Sequence, residues 1–336
     1  MADAVTATVE LDAQYRQLRE ECGLLDRSDR GKIEVTGAEA AEYLQGQLTN
    51  DVEALEPGEG CYAALLDRKG HMQADMRALR APAVPFQQVE GEGNSESSEA
   101  GGFWIDTEPE GLEAARKHLQ MYKIGRDVEV ADVTAERAIL SLIGPRSVEI
   151  AGTAALPEHC CEQTAVSGVD CLAVGTRDGI DLIAATADAG RLREALLGAG
   201  AVEVGAEAAE ILRIEAGVPR FGAEMGASTM PAEAGIVEAA VSFSKGCYIG
   251  QETVARLHYK GKPNRNLRGL RLSGPATAGA SLRLAEKEVG TLGATCVSPA
   301  LGPIALAIVR REAQPGGELA VGEDGVTARV VDLPFG

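Results

Sequence analysis

The chain has 336 residues, 45% of them hydrophobic and 25% charged. That length suits about two domains, and the composition is that of a globular protein, which excludes disordered, collagen-like and membrane-embedded chains. A net charge of −19 favours solubility and repels nucleic-acid phosphates and anionic lipid, so neither is expected as a general partner.

In chain order, residues 11–22 predict a helix stopped by Gly23, and 32–35 alternate as a short strand. Thr36 and Glu39 form a capping-box pattern ahead of a helix with Ala40, Tyr43, Leu44 and Leu48 on one face, ending near Asn50. Residues 61–66 and 72–79 read as strands around the turn Asp67-Arg68-Lys69-Gly70. Residues 88–102 mix Gly, Ser and Glu and predict a flexible acidic loop before the strand-like Phe103-Trp104-Ile105. A second capping-box pattern, Thr107 to Glu110, opens a helix through Leu119, with Pro109 in its first turn.

Further on, strands are predicted at 128–130 and 138–143, a helix at 147–156, and a hairpin of 171–174 and 180–184. Helices follow at 190–197 and 206–216, the second stopped by Gly217 and Pro219. Hairpins and single helices without regular βαβ spacing predict an α+β fold. From Asn266, short strands at 267–272, 281–284, 289–296, 304–309 and 326–330 predict a small β-barrel. The boundary is expected near Gly261-Lys262-Pro263, dividing the chain into 11–261 and 262–336.

The 7 cysteines include no C-x-x-C pair, and only four histidines accompany them, so no structural metal site is expected. Scattered thiols, no basic and apolar leader, and no apolar run of about 20 residues predict a cytoplasmic protein that does not cross a membrane. His71 lies at a turn and His258 in a basic run, and both are read as non-catalytic.

Four segments stand out: 26–52, 61–80, 211–222 and 243–252. Here the sequence resembles the YgfZ-type folate-binding proteins, relatives of the glycine-cleavage T-protein (aminomethyltransferase). Lys245-Gly246-Cys247-Tyr248-Ile249-Gly250-Gln251-Glu252 resembles their signature K-G-C-F/Y-x-G-Q-E, and Arg213 to Gly222 resembles the superfamily's helix-end motif. Gly31-Lys32-Ile33 and Leu44 to Asp51 also match, so the likeness runs from about Leu11 to Leu333. It implies a three-subdomain cloverleaf, with two α/β-layer subdomains and a small C-terminal β-barrel around a central opening that holds tetrahydrofolate. It further implies an accessory protein that supports assembly or repair of iron–sulfur enzymes, tRNA-modifying ones among them, with iron–sulfur client or assembly proteins as partners. The alternative is a folate-dependent aminomethyltransferase or demethylase.

The resemblance assigns the pterin donors to Glu215, because a carboxylate accepts two neighbouring N–H groups at once, and places Arg213 beside it. The alternative for Glu215 is a helix-surface carboxylate. Cys247 is expected to be a functional thiol, with Lys245 as a nearby cation favouring thiolate and Gly246 and Gly250 allowing close approach; a packing cysteine is the alternative. Where T-proteins carry paired aspartates, this chain has Ala74-Asp75, so Asp75 is the candidate for transfer chemistry, or an outward-facing strand residue. Residues 256–271 hold Arg256, Lys260, Lys262, Arg265, Arg268 and Arg271 without an acidic residue. They read as a site for folate's glutamate tail, with Arg256 and Lys260 foremost, or as a solvated linker.

Overall fold

Alternating apolar and polar residues build three sheets, each with its own apolar core, and the computed structural model describes residues 2–82 and 102–335 of them. Helix α1 (Ala2–Glu20) leads to β1 (Gly23–Asp26) and β2 (Gly31–Thr36). Then come α2 (Ala40–Gln47), β3 (Gly60–Leu66), β4 (Met72–Arg80), β5 (Phe103–Thr107), α3 (Pro109–Tyr122) and β6 (Glu129–Asp132). The next stretch contains β7 (Arg137–Ile143), α4 (Ser147–Ala151), β8 (Cys161–Val166), β9 (Val169–Thr176), β10 (Gly179–Ala185), α5 (Ala189–Gly198) and β11 (Val202–Glu203). Helices α6 (Ala206–Glu215), α7 (Pro231–Ala234), α8 (Val237–Ala240) and α9 (Gln251–Lys260) precede β12 (Arg265–Leu272) and β13 (Ser281–Leu284). The chain closes with β14 (Lys287–Thr291), β15 (Thr295–Ser298), β16 (Gly302–Arg310), β17 (Glu318–Val321) and β18 (Val326–Val331).

The first sheet has the order β3-β4-β5-β2-β6 and the second β11-β1-β7-β10-β9-β8, so the short β1 crosses from one unit into the other. The third runs β12-β18-β17-β13-β14-β16-β15 and closes through β12–β16 pairing, as the α+β reading with a terminal barrel expects.

Period two sorts the strand residues between faces. On β4, Ala74, Met76 and Ala78 join the core under α2 and α3, beside Tyr43, Leu44 and Leu119. Leu79, on the opposite face, packs with Trp104 of β5, Ile139 of β7 and Ile183 of β10, so the first two sheets meet face to face. Asp75 and Arg77 share the parity of Leu79 and therefore point between the sheets.

Several expectations change. The third sheet has seven strands, six of them closing the barrel and β15 pairing only with β16, since the expected strand 289–296 breaks at Leu292–Ala294, where backbone bonds run to Ala280 and Leu306, and β17 was not foreseen. Strands β1, β8 and β11 were also unforeseen, and α1 begins well before Leu11. Helix α4 stops at Ala151 because Gly152 takes the left-handed conformation, φ 66°. Neither capping box forms: the Glu39 carboxylate accepts from the Asp127 N–H, and the Thr107 hydroxyl donates to the Asp75 carbonyl at 2.5 Å. Apart from Gly102, the expected acidic loop 88–102 lies outside the described residues.

Candidate functional site

Strands β4, β5 and β10 each bring a charge to the junction of the first two sheets. Arg77 of β4 reaches Asp106 of β5 at 2.7 Å and Asp181 of β10 at 2.7 Å, tying one sheet to the other. Arg30, just before β2, also holds Asp106, at 2.5 Å, and pairs with Glu108. Ser141 of β7 donates to Asp181 at 2.6 Å. Burial alone would raise the pKa of Asp106, but the two guanidiniums outweigh it and hold that carboxyl down at about 2. Asp106 is thus held as an anion between two guanidiniums, and Asp181 is held by Arg77 and Ser141.

Asp75 stands in the same layer without a cation of its own. Its Oδ2 accepts the Tyr62 hydroxyl at 2.7 Å, and its Oδ1 is buried with no partner among the described residues. Burial, reinforced by the Glu108 charge, pushes its pKa up to about 6 against the opposing pull of Tyr62 and Arg30. Burial and the neighbouring Asp75 push the Tyr62 phenol well above its usual value, so Tyr62 remains a donor. The His159 ring stacks on Tyr62, centroids 6.4 Å apart. The cluster can therefore exchange one proton near neutrality, at Asp75.

Arg213 is clamped between Glu210 at 2.6 Å and Glu224 at 2.9 Å. Arg220 reaches Glu210 at 3.5 Å and Glu108 at 3.7 Å, which links Arg213 to the Asp75 layer through a chain of ion pairs. The Nε of Arg220 is buried with no acceptor. Glu215 is placed differently. Its carboxylate accepts the Tyr15 hydroxyl at 3.0 Å and the Ser298 hydroxyl at 2.5 Å, fastening α6 to α1 and to the barrel strand β15. Among the described residues its hydrogen bonds include none to the Asp75 cluster.

The 242–250 segment forms a second centre. The Lys245 ammonium turns inward and donates to the carbonyls of Gln45, Leu48 and Asn50 at 2.6, 2.6 and 2.9 Å, capping the end of α2. It is therefore occupied elsewhere than at Cys247, contrary to the expected local activation, and burial lowers its pKa to about 8. Tyr248 is buried, and a Cβ on Gly250 would lie 2.6 Å from the Asp67 carbonyl, so this position demands glycine. Between these anchors Gly246 and Cys247 are exposed. Gln251 and Glu252 open α9 directly after Gly250, whose backbone is left-handed at φ 86°.

The basic run divides. Arg265 pairs with Glu233 at 2.8 Å, Arg268 approaches Asp332 at 3.8 Å, and Arg271 lies over Phe335. Arg256, Lys260 and Lys262 are exposed and make no ion pair among the described residues. His258 stacks on Phe243 at 3.9 Å, beside an exposed Tyr259. Among the described residues no cluster of His, Cys, Asp or Glu is placed to hold a metal ion, and no helix is long and apolar enough to cross a membrane.

Sequence reasoning singled out Asp75 and Arg213 but missed Tyr62, Arg30, Arg77, Asp106, Asp181 and His159. The available signal was a single charge inside an apolar strand, as in Phe-Trp-Ile-Asp-Thr at 103–107 and Ile-Asp-Leu-Ile at 180–183.

A charged layer buried between two sheets and a closed C-terminal barrel characterise the chain, and its likeness to known proteins gives the class. Residues 5–245 match the family model of the GCVT N-terminal domain. An aminomethyltransferase of Rubrobacter xylanophilus is 31% identical, across 97% of this chain and 86% of its own. One of Symbiobacterium thermophilum is 30% identical, across 96% and 88%. The crystal structure of glycine cleavage system aminomethyltransferase T from Bartonella henselae shares the fold, with a TM-score of 0.83 over 97% of this chain and 89% of its own, at 24% identity. The chain belongs to the GCVT family, within the T-protein (aminomethyltransferase) superfamily.

Proposed function

We propose that this chain binds tetrahydrofolate between its first two sheets and passes a one-carbon unit to or from it, as a folate-dependent transferase of the aminomethyltransferase kind. The observation that carries this reading is Asp75: a buried carboxyl with one oxygen held by Tyr62, the other unpartnered, and a pKa raised to about 6. A group poised near working pH is suited to moving a proton. The names of its relatives support the same reading.

The residues present fit a reduced folate. Asp75 Oδ1 lacks a donor and Arg220 Nε lacks an acceptor, while a pterin edge offers both kinds of group. When bound, tetrahydrofolate would supply the nitrogens that carry the one-carbon unit. The chain's own part is to hold or release a proton at Asp75 Oδ1, to orient that carboxyl through Tyr62, and to keep the floor rigid and dry through Arg77, Asp106, Arg30 and Asp181. We assign Arg256 and Lys260 to the glutamate tail, so a polyglutamylated folate should bind more tightly than the monoglutamate, by a margin that shrinks as salt rises. Arg213 and Glu215 are given bracing roles, since their charged groups already have protein partners. If Glu215→Ala abolished folate binding while leaving thermal stability unchanged, the pterin role would return to it. The reading takes 11–261 as the folate-binding region, 262–336 as a separate barrel domain, and the cytoplasm as its location.

The test pairs calorimetry with turnover of a methylamine-type donor. Asp75→Asn should bind tetrahydrofolate within a few-fold of wild type and lose about 10²–10⁴-fold in transfer rate. Undiminished turnover in that variant would remove Asp75 from the chemistry.

A second reading rests on Cys247, an exposed thiol at the apex of an anchored loop, and on Ala74 where T-proteins have an aspartate. It makes the chain a folate-binding accessory of iron–sulfur enzymes. Folate binding without turnover, together with knockout rescue by wild type and not by Cys247→Ala across several cluster enzymes, would favour it.

A further inference from the structure

We propose that His159 is a further residue of the Asp75 site, positioning Tyr62 with its ring and hydrogen-bonding the bound ligand through Nδ1. The proposal rests on the folate reading for the identity of the ligand, and on geometry alone for the positioning.

His159 belongs to the turn that enters β8 of the second sheet, yet it is built against the first. The N–H of Cys161 donates to the Gly58 carbonyl at 2.7 Å, and the His159 N–H to the Gly175 carbonyl at 2.9 Å. A Cβ on Gly60 would lie 2.5 Å from the His159 carbonyl, so β3 begins with a residue that leaves room for this turn. His159 itself has φ 67°, a left-handed backbone that non-glycine residues keep only where the surroundings impose it.

That backbone sets the imidazole against the Tyr62 ring, tilted 24° to it, and Tyr62 is the residue that holds Asp75. Nδ1 is buried with no hydrogen-bond partner. The charges acting on the ring are those of Glu158, Arg77, Asp106 and Asp181, which places it beside the cross-sheet ion pairs. Burial, the largest influence, lowers its pKa, so the ring is neutral and each nitrogen has one bond to give or take. A strained backbone, a stacked ring and an unsatisfied buried nitrogen meet at one residue, which Tyr62 joins to a carboxyl whose Oδ1 also lacks a partner among the described residues. A heteroaromatic ligand with donors and acceptors along its edge satisfies both groups, as a pterin does.

Two variants separate the two roles. His159→Phe keeps a flat ring on Tyr62 and removes Nδ1, and His159→Asn tolerates the backbone and removes the ring. In ligand-free protein, a carboxyl-¹³C titration should place Asp75 higher in His159→Asn than in wild type, because a displaced Tyr62 no longer favours the carboxylate, and unchanged in His159→Phe. Equal midpoints in all three proteins would overturn the positioning role. With tetrahydrofolate, His159→Phe should bind about tenfold more weakly, and the wild-type Nδ1 resonance should move on ligand addition. Equal affinity with an unmoved resonance would overturn the contact. If wild type binds no tetrahydrofolate, the folate reading fails and the contact with it, while the carboxyl titration still decides whether His159 positions Tyr62.

Discussion

The layer between the first two sheets and the surface around Cys247 contain the same kinds of charged residue under opposite conditions. In the layer, Arg77 and Arg30 are spent on Asp106, Asp181 and Glu108, whereas Asp75 has an oxygen with no partner among the described residues. At the surface, Arg256, Lys260 and Lys262 stand in solvent without ion pairs among the described residues, and the one buried cation, Lys245, is spent on backbone carbonyls. Burial makes a charge costly unless it is paired, so in the layer the unpaired group is the informative one. In water an unpaired charge costs little, so exposure alone carries less weight.

The sharpest way to break this contrast is Arg77→Met. It would leave buried Asp106 with the Arg30 ion pair alone and remove the ion pair that buried Asp181 makes with Arg77. Unfolding in urea should show a loss of about 3–5 kcal/mol. A loss below about 1 kcal/mol would mean that water reaches the layer and that the two regions differ less than their burial indicates.

Asp75→Asn should act in the opposite direction. A carboxyl with a folded pKa near 6 and an unfolded pKa near 3.9 binds its proton more tightly in the native state. Its ionisation therefore opposes folding above about pH 6, and the penalty disappears below about pH 4. The Asn variant should be about 2 kcal/mol more stable than wild type at pH 8, with the gap closing as pH falls through that window. A gap independent of pH would assign the effect to packing. A more stable variant that has lost transfer activity would be a direct example of stability given up at a functional group.

The smallest effect is expected at Cys247. Its side chain is exposed, so Cys247→Ser should alter unfolding by less than about 0.5 kcal/mol. A larger loss would show that the apex of the loop is packed, and the contrast between the two regions would narrow.

Much of the element order was legible because it rests on local signals. Gly217 ended α6, and the Asp67–Gly70 turn joined β3 to β4 where spacing placed it. The errors lie where a distant segment decides. Thr36 and Glu39 have the spacing of a capping box, yet the Asp127 N–H takes the Glu39 carboxylate, and Asp127 is 88 residues away. Lys245 stands two residues from Cys247 in the chain, but its ammonium belongs to the end of α2. Glu215 likewise has partners from distant segments, Tyr15 and Ser298, that its motif neighbours do not indicate.

By itself the sequence determined the α+β class, the terminal barrel, the family likeness through Lys245–Glu252, and Asp75 as the aspartate to examine. Only the tertiary structure decided what Asp75 faces. Alternation along β4 separates Ala74, Met76 and Ala78 from Asp75, Arg77 and Leu79, but it records only that the two faces differ, and a polar face reads as one turned to water. The second sheet, built from β7 to β10 more than fifty residues on, covers that face and supplies Asp181 to Arg77. Period two is a property of one strand, whereas what covers a face is a property of the whole chain, and the chemistry proposed for this protein lies under that cover.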